Sequence, residues 1–274
     1  MRSILIRRLQ CLAIALGLLL QAVFISKLAS ADDVTTLDSA RLESSGFDGV
    51  VVLYDAATQR WMTTSMEWMD RAAIPASTFK VMSSLAALET GVVETLDQRI
   101  TLEQYTSSRD EINRELDFAT AFKLSALPHY QHIVRRIGSA RMQRYLDAVG
   151  YGNRDMGGGV DQFWISGDLA ISPTQQIEFL RSLVEGSLPF RAQTMAQVRS
   201  MMRRNELNGS LHAKTGWATS SEGLHTGWSI GWVQRVAEEP LYFATLLQTD
   251  EPGDSFLDVR LGLALDTIEQ YNNQ

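Results

Sequence analysis

Two residues spaced for nucleophilic catalysis stand out in the chain. Ser77-Thr78-Phe79-Lys80 places a hydroxyl and an amine three positions apart, which on a helix puts them on the same face. Serine is a weak nucleophile at neutral pH, and a lysine within reach can activate it if its pKa is lowered or it is chemically modified. The motif is weak by itself, because S-x-x-K is common at solvated helix starts.

A second motif and a second serine add to this pattern. Lys214-Thr215-Gly216 lies at the end of a predicted strand, where lysine and threonine can bind a substrate carboxylate. The glycine lets the strand edge approach a ligand closely. Ser125 lies between the two motifs and could either relay a proton or cap the following helix. Both motifs in this order, on a helix start and a strand respectively, are typical of penicillin-recognising proteins.

The elements that must position these residues are predicted from hydrophobic periodicity. A hairpin is expected over 50–54 and 60–64, a helix over 77–90, further helical segments over 130–149 and 173–184, and a glycine-rich loop over 151–168. Strands are expected over 211–216, 226–235 and 241–248, followed by an amphipathic helix over 256–271.

Strands at both ends with helices between them indicate an α+β fold. We expect an antiparallel sheet flanked by N- and C-terminal helices and interrupted by a mainly helical domain. The sheet part covers about 32–76 and 206–274, and the helical part about 77–205.

The first 31 residues have the order of a secretory signal peptide. Arg2, Arg7 and Arg8 precede an apolar run over about 11–25, and Ala29-Ser30-Ala31 follows as a cleavage site. An uncleaved membrane anchor is the alternative, but the run is shorter than the ~20 residues needed to span a bilayer. We expect cleavage before residue 32, a periplasmic or secreted protein, and no stable membrane association after cleavage.

Charge and cysteine content exclude several classes of protein. Without residues 1–31 the chain holds 21 basic and 32 acidic residues, a net charge of −11, which makes nucleic acid a poor partner. Cys11 is the only cysteine and lies in the predicted signal, so the exported chain would have neither a disulfide nor a thiol nucleophile. His129 and His132 are the only close histidine pair, and no metal site is expected.

Gly227-Trp228-Ser229-Ile230-Gly231 also matches the nucleophile elbow of α/β-hydrolases. That family requires a histidine after the serine, and all four histidines of this chain precede it. The flanking residues alternate as in a strand, without a strand-to-helix turn. We therefore interpret the segment as part of the sheet.

Taken together, the motifs resemble those of class D (oxacillinase) β-lactamases, in the family's order and over about residues 50–271. The matching segments are Pro75-Ala76-Ser77-Thr78-Phe79-Lys80, Ser125, Tyr151-Gly152-Asn153, Phe163-Trp164, Lys214-Thr215-Gly216-Trp217 and Gly227-Trp228-Ser229-Ile230-Gly231-Trp232-Val233.

The resemblance implies a role for each catalytic residue. Ser77 would attack the lactam carbonyl, and Lys80, N-carboxylated by CO2, would act as the base in acylation and deacylation. Ser125 would relay a proton, and Trp164 would hydrogen-bond the carbamate, although plain core packing is the alternative for this tryptophan. Carboxylation requires a neutral amine, so Lys80 is expected in an apolar pocket. No other cofactor is implied.

The resemblance also implies how a β-lactam substrate is bound. Lys214, Thr215 and Arg260 would hold its carboxylate beside Gly216, and the backbone N–H groups of Ser77 and Trp217 would form the oxyanion hole. The expected outcome is antibiotic hydrolysis and resistance.

Two departures from the family pattern are present. Leu127, a substrate-binding position, replaces the usual valine, and its bulk could crowd the deacylating water. The segment 109–113 lacks the tryptophan often found just before it. A β-lactam sensor or a penicillin-binding transpeptidase, which acylates but turns over slowly, is the alternative function. The sequence leaves the substrate spectrum and the oligomeric state open.

Overall fold

The computed structural model describes residues 34–273, so the predicted signal peptide at 1–31 lies outside the described residues. The strands are β1 (Val34–Thr36), β2 (Asp48–Asp55), β3 (Arg60–Thr63), β4 (Arg99–Ile100), β5 (Leu116–Asp117), β6 (Leu211–Thr219), β7 (His225–Val233) and β8 (Leu241–Thr249). The α-helices are α1 (Ala40–Ser45), α2 (Lys80–Glu89), α3 (Phe118–Lys123), α4 (Leu127–Ile137), α5 (Ser139–Val149), α6 (Pro173–Glu185), α7 (Ala192–Met202) and α8 (Phe256–Asn272).

Six of these strands form one sheet in the order β1-β3-β2-β8-β7-β6. β2 pairs antiparallel with β3 and β8, and β7 pairs antiparallel with β6 and β8. Nearly every residue of β2, β7 and β8 is buried, so both faces of the sheet are covered. This confirms the predicted α+β class with an antiparallel sheet.

Helices cover the two faces of the sheet. Alternate strand residues, such as Val51, Leu53 and Phe243, pack with Phe256 and Leu263 of α8 in one hydrophobic core. Strand residues that alternate with these point to the other face. On that face α6 contacts β8, β7 and β2. The short helix α1 contacts β2 and α8, which gives the flanking helices at both ends of the chain.

The nucleophile motif lies at the junction of this sheet with the helices. A 3₁₀ turn over Ala76–Phe79 leads directly into α2, whose residues from Lys80 to Leu88 are all buried. The turn contacts β6 and β7, and α2 packs against α4, α5 and α7. Helix α2 therefore presents its first residues to β6, at the edge of the sheet.

One predicted helical segment is divided. The expected helix over 130–149 is two helices, α4 and α5, which meet at Gly138 with a φ of +82°. A positive φ does not continue a right-handed helix, and glycine adopts it without a steric cost. α4 also begins three residues earlier than predicted, at Leu127, with Pro128 in its first turn, where proline is tolerated.

Candidate active site

The hydroxyl of Ser77 and the amine of Lys80 are in contact. The Nζ of Lys80 donates a hydrogen bond to the Oγ of Ser77, at 2.8 Å. Ser77 lies on the 3₁₀ turn rather than on the α-helix itself, and Ala76 before it has a φ of +51°. Non-glycine residues in this region are strained and cluster at functional sites. The turn leaves Ser77 partly exposed while Lys80 is fully buried.

Burial changes the acid–base chemistry of Lys80. Burial, followed by the positive charge of Arg109, lowers the pKa of its amine from 10.5 to about 7. The ring of Tyr130, on α4, lies 5.2 Å from the Nζ. An amine with this pKa is partly neutral at neutral pH, so it can accept a proton or react as a nucleophile.

Ser125 and Lys214 form a second contact between a hydroxyl and an amine. The Nζ of Lys214 donates hydrogen bonds to the Oγ of Ser125 and, at 2.8 Å, to the carbonyl of Thr215. Ser125 has a φ of +53°, so it too occupies a strained backbone position, and its side chain caps no helix. Burial, followed by the charges of Lys80 and Arg260, lowers the pKa of Lys214 well below its usual value.

Gly216 packs strand β6 against the turn that carries the nucleophile. A Cβ atom at Gly216 would lie 3.0 Å from the carbonyl oxygen of Pro75 and 3.2 Å from the backbone nitrogen of Ser77. The sequence analysis interpreted this glycine as letting a ligand approach the edge of the strand. In the structure the glycine also lets the backbone of the Ser77 turn approach β6 closely.

Arg260, on α8, is brought to the same place. Its Nη1 donates a hydrogen bond of 2.6 Å to the carbonyl of Gly216. The side chain is buried, which lowers the pKa of the guanidinium to about 10 and leaves it charged at neutral pH. Gly227 on β7 makes room for it, because a Cβ there would lie 2.8 Å from the Cδ of Arg260.

A cleft of about 880 Å³ is lined by Ser77, Ser125 and Arg260. Trp217 and Leu257 are 43% and 45% exposed, so they contribute apolar surface to its wall. The residues that line the cleft are Ser77, Thr106, Ser107, Ser108, Arg109, Glu111, Ile112, Lys123, Leu124, Ser125, Leu127, Pro128, Thr215, Gly216, Trp217, Leu257 and Arg260. Leu127 is half-buried there, as the first residue of α4.

Trp164 lies in an aromatic cluster beside the nucleophile helix. Its ring stacks on Phe79, with centroids 5.4 Å apart, and meets Phe163 edge to face at 4.9 Å. Its Nε1 is buried and has no hydrogen-bond acceptor among the residues that the structure describes. A buried N–H without an acceptor is costly, so Trp164 holds a hydrogen-bond donor whose role its protein neighbours do not explain.

Sequence reasoning did not identify two residues that support the site. One is Tyr130, which covers the amine of Lys80. The other is Gln176 on α6, whose Nε2 donates to the Oγ1 of Thr78 at 2.9 Å, while Thr78 donates to the carbonyl of Pro75 at 2.7 Å. Gln176 is fully buried and so braces the strained turn. The available signal was that Gln176 lies three and four positions before Phe179 and Leu180, on the apolar face of the predicted 173–184 helix.

Ser229 and His129, which the sequence analysis also singled out, have structural roles. Ser229 is fully buried in the middle of β7, so it is not an exposed nucleophile. His129 is buried on α4, and its Nε2 lies 2.9 Å from the carbonyl oxygen of Arg114, with which it forms a hydrogen bond.

No helix within residues 34–273 is both long enough and apolar enough to cross a membrane.

Comparison with known proteins places this arrangement in a family. The Penicillin binding protein transpeptidase domain matches residues 49–259, more than half of the chain. Beta-lactamase OXA-48 of Klebsiella pneumoniae is 37% identical over 224 residues, which cover 81% of this chain and 83% of that protein. FUS-1 (OXA-85), a class D beta-lactamase from Fusobacterium nucleatum subsp. polymorphum, has a TM-score of 0.77 at 30% identity, over 84% of this chain and 95% of that one.

The fold alone does not separate enzymes from receptors. The C-terminal domain of the Bacillus licheniformis BlaR penicillin-receptor has a TM-score of 0.80 at 28% identity, over 87% of this chain and 96% of that one. Identity to named β-lactamases, in contrast, exceeds 30% over most of both chains. On these matches the chain belongs to the class D β-lactamases, a family of hydrolases.

Proposed function

We propose that the protein hydrolyses β-lactam antibiotics through an acyl-enzyme on Ser77, with a carboxylated Lys80 as general base, and thereby confers resistance. The observation that carries this proposal is the contact of 2.8 Å between the Nζ of Lys80 and the Oγ of Ser77, in a pocket that lowers the pKa of the lysine to about 7. The hydroxyl has a base within reach, as nucleophilic catalysis requires.

In acylation the Oγ of Ser77 would attack the lactam carbonyl carbon while Lys80 takes the hydroxyl proton. The oxyanion would be held by the backbone N–H groups of Ser77 and Trp217. The close packing of Gly216 against the backbone nitrogen of Ser77 supports this arrangement, because Trp217 is the next residue of the same strand. When the C–N bond breaks, Ser125 would pass a proton to the leaving nitrogen. Water would then hydrolyse the ester.

The surroundings of Lys80 fit a carboxylated amine. Its burial favours the neutral form that reacts with CO2, and Trp164 offers a buried Nε1–H without an acceptor. The carboxyl group would supply an anionic oxygen as a general base. A charge-assisted bond from Trp164 would be about twice as strong as a neutral one.

The ring carboxylate of the substrate would bind at the cationic end of the cleft. Arg260 and Thr215 line the cleft, and Lys214 holds Ser125 from the neighbouring position. Burial of Arg260 would strengthen its charged hydrogen bond to the carboxylate, because water competes less for the guanidinium.

The protein would reach its substrates by export through the segment at 1–31. Expression of the full chain in a bacterium, followed by fractionation and N-terminal sequencing, tests this. A mature protein in the periplasm or medium that begins at residue 32 is the expected result. A protein that retains residues 1–31 in the membrane fraction contradicts it.

A sensor or slow transpeptidase is the second candidate, supported by the similarity to the BlaR penicillin-receptor domain. The two functions differ in deacylation. Nitrocefin turnover by residues 32–274, with and without bicarbonate, together with intact mass after penicillin treatment, separates them. Sustained turnover supports the hydrolase. A stoichiometric adduct that persists for hours supports the sensor, and an adduct that forms equally on Ser77→Ala overturns the assigned nucleophile.

A further inference from the structure

The cleft has two cationic regions that come from different parts of the chain. Arg260 is on α8 and bonds to β6, beside the proposed site for the ring carboxylate. Arg109 and Lys123 line the same cleft from the segment before α3 and from the end of α3. Glu111 is the one carboxylate among the described residues that line it. The lining therefore has more positive than negative groups. Lys214 is not counted, because it does not line this cleft.

Arg109 is held in place by its neighbours. Its Nε and Nη2 donate to one oxygen of Glu111, at 2.9 and 2.6 Å, and Nη2 also donates to the carbonyl of Leu124, at 3.2 Å. Its backbone N–H donates to the Oγ of Ser107, at 3.1 Å. Within residues 34–273 its other terminal nitrogen, Nη1, makes no hydrogen bond. A preorganised guanidinium loses less side-chain entropy when it binds an anion.

The charge of Arg109 reaches the reaction centre despite the pairing with Glu111. It contributes to lowering the pKa of Lys80 and also that of Lys214. The loop beside it adds the hydroxyls of Thr106 and Ser108 to the lining of the cleft. Hydroxyl and guanidinium donors together suit a carboxylate.

We propose that Arg109, with Lys123, forms a second anion subsite that binds a carboxylate on the acyl side chain of a β-lactam. This inference rests on the proposed function, which assigns the ring carboxylate to Lys214, Thr215 and Arg260. In a penicillin the acyl side chain is the substituent that varies, so a second negative charge must come from there. The enzyme would prefer dianionic penicillins to their monoanionic counterparts.

Carbenicillin and benzylpenicillin form a matched pair for the test, because they differ by one side-chain carboxylate. The readout is the ratio of their kcat/KM values, carbenicillin over benzylpenicillin. Arg109→Gln is expected to lower this ratio about threefold to tenfold, as loss of a partly exposed charge contact would. Lys123→Gln is expected to lower it less. Glu111→Gln, which removes the competing carboxylate, is expected to raise it.

The ratio isolates the subsite from the chemistry. Removing Arg109 also alters the electrostatics of Lys80, but that change affects both substrates equally and cancels. Arg99→Gln is the control, because Arg99 is exposed, pairs with Glu115 and does not line the cleft. The preference of the wild type for carbenicillin is expected to weaken as salt rises from 0.05 to about 0.5 M, since screening shortens the range of the interaction.

The outcomes separate this inference from the proposed function. No hydrolysis of either penicillin by the wild type overturns the proposed function. Hydrolysis of benzylpenicillin with a ratio unchanged in Arg109→Gln and Glu111→Gln overturns the anion subsite alone. Equal falls of the ratio in Arg109→Gln and Arg99→Gln assign the effect to overall charge and overturn the subsite as well.

Discussion

The indole Nε1 of Trp217 donates a hydrogen bond to the Nδ1 of His225, 3.1 Å away on the neighbouring strand. An indole N–H has no acceptor capacity, so Nδ1 must be unprotonated and the proton of a neutral His225 lies on Nε2. The Oγ1 of Thr219 lies 3.0 Å from the same Nδ1. His225 thus sets the position of the exposed aromatic ring that forms part of the cleft wall.

His225→Phe is expected to weaken substrate binding at this wall. Phenylalanine keeps a ring against Phe256 but offers no acceptor, so the indole of Trp217 gains rotational freedom. Loss of one such hydrogen bond costs roughly 0.5–1.5 kcal/mol, and we expect KM to rise about twofold to tenfold with little change in kcat. Steady-state kinetics with benzylpenicillin measure this.

A double-mutant cycle with Trp217→Phe tests the mechanism of that effect. If His225 acts through Trp217, the second substitution adds little once the first is present. Additive effects of the two substitutions would show that His225 acts by another route. His225→Asn, which retains an acceptor oxygen, serves as the conservative control.

The contact between Ser77 and Lys80 was predictable because it depends on local spacing. Ser77 and Lys80 are three positions apart, so any helix places their side chains within one turn. The structure places the Nζ of Lys80 2.8 Å from the Oγ of Ser77 even though the serine lies on a 3₁₀ turn. The strands of β6, β7 and β8 were likewise predictable, since apolar runs between polar turns define them. Both predictions needed only neighbouring residues.

Contacts between distant segments were not predictable in this way. Ser125 and Lys214 are 89 positions apart, and Gly216 and Arg260 are 44 apart. Only resemblance to a family suggested that they meet. The break at Gly138 was missed because the apolar period continues across it, and the role of Gly227 was missed because the side chain that fills its space comes from another element.

Gly227→Ala is expected to displace Arg260. An added Cβ would lie 2.6 Å from the ring of Phe256 and 2.8 Å from the Cδ of Arg260, so both side chains would have to move. We expect kcat/KM for a penicillin to fall about tenfold or more, as when one charge-assisted bond is lost, with a lower Tm as well. Arg260→Ala is the comparison. If Gly227→Ala keeps full activity while Arg260→Ala does not, the glycine is not needed to seat the arginine.

Activity is expected to depend on pH through Lys80. Its pKa is lowered to about 7, so the neutral amine predominates above that value and falls to about a tenth one unit below it. Since carboxylation requires the neutral amine, activity should decline reversibly below pH 7 and recover when bicarbonate is added. Carbon-13 NMR with labelled bicarbonate should show a carbamate signal that is absent in Lys80→Ala. Full activity in CO2-depleted buffer, with no such signal, would mean that Lys80 acts as a free amine.

Leu127→Val tests whether bulk beside the reaction centre limits turnover. Leu127 is two residues after Ser125, lines the cleft at the start of α4 and is half-buried, so valine would remove one methylene from the wall. If the leucine crowds the deacylating water or weakens the carbamate, valine should raise kcat or lower the bicarbonate concentration needed for full activity. Burst kinetics with nitrocefin separate acylation from deacylation, and the acylation rate should change less than the deacylation rate.

Leu257→Val is the matched control, because Leu257 lines the cleft from α8 and is 45% exposed. Equal effects of the two substitutions, or a slower deacylation in Leu127→Val, would show that this leucine does not restrict hydrolysis.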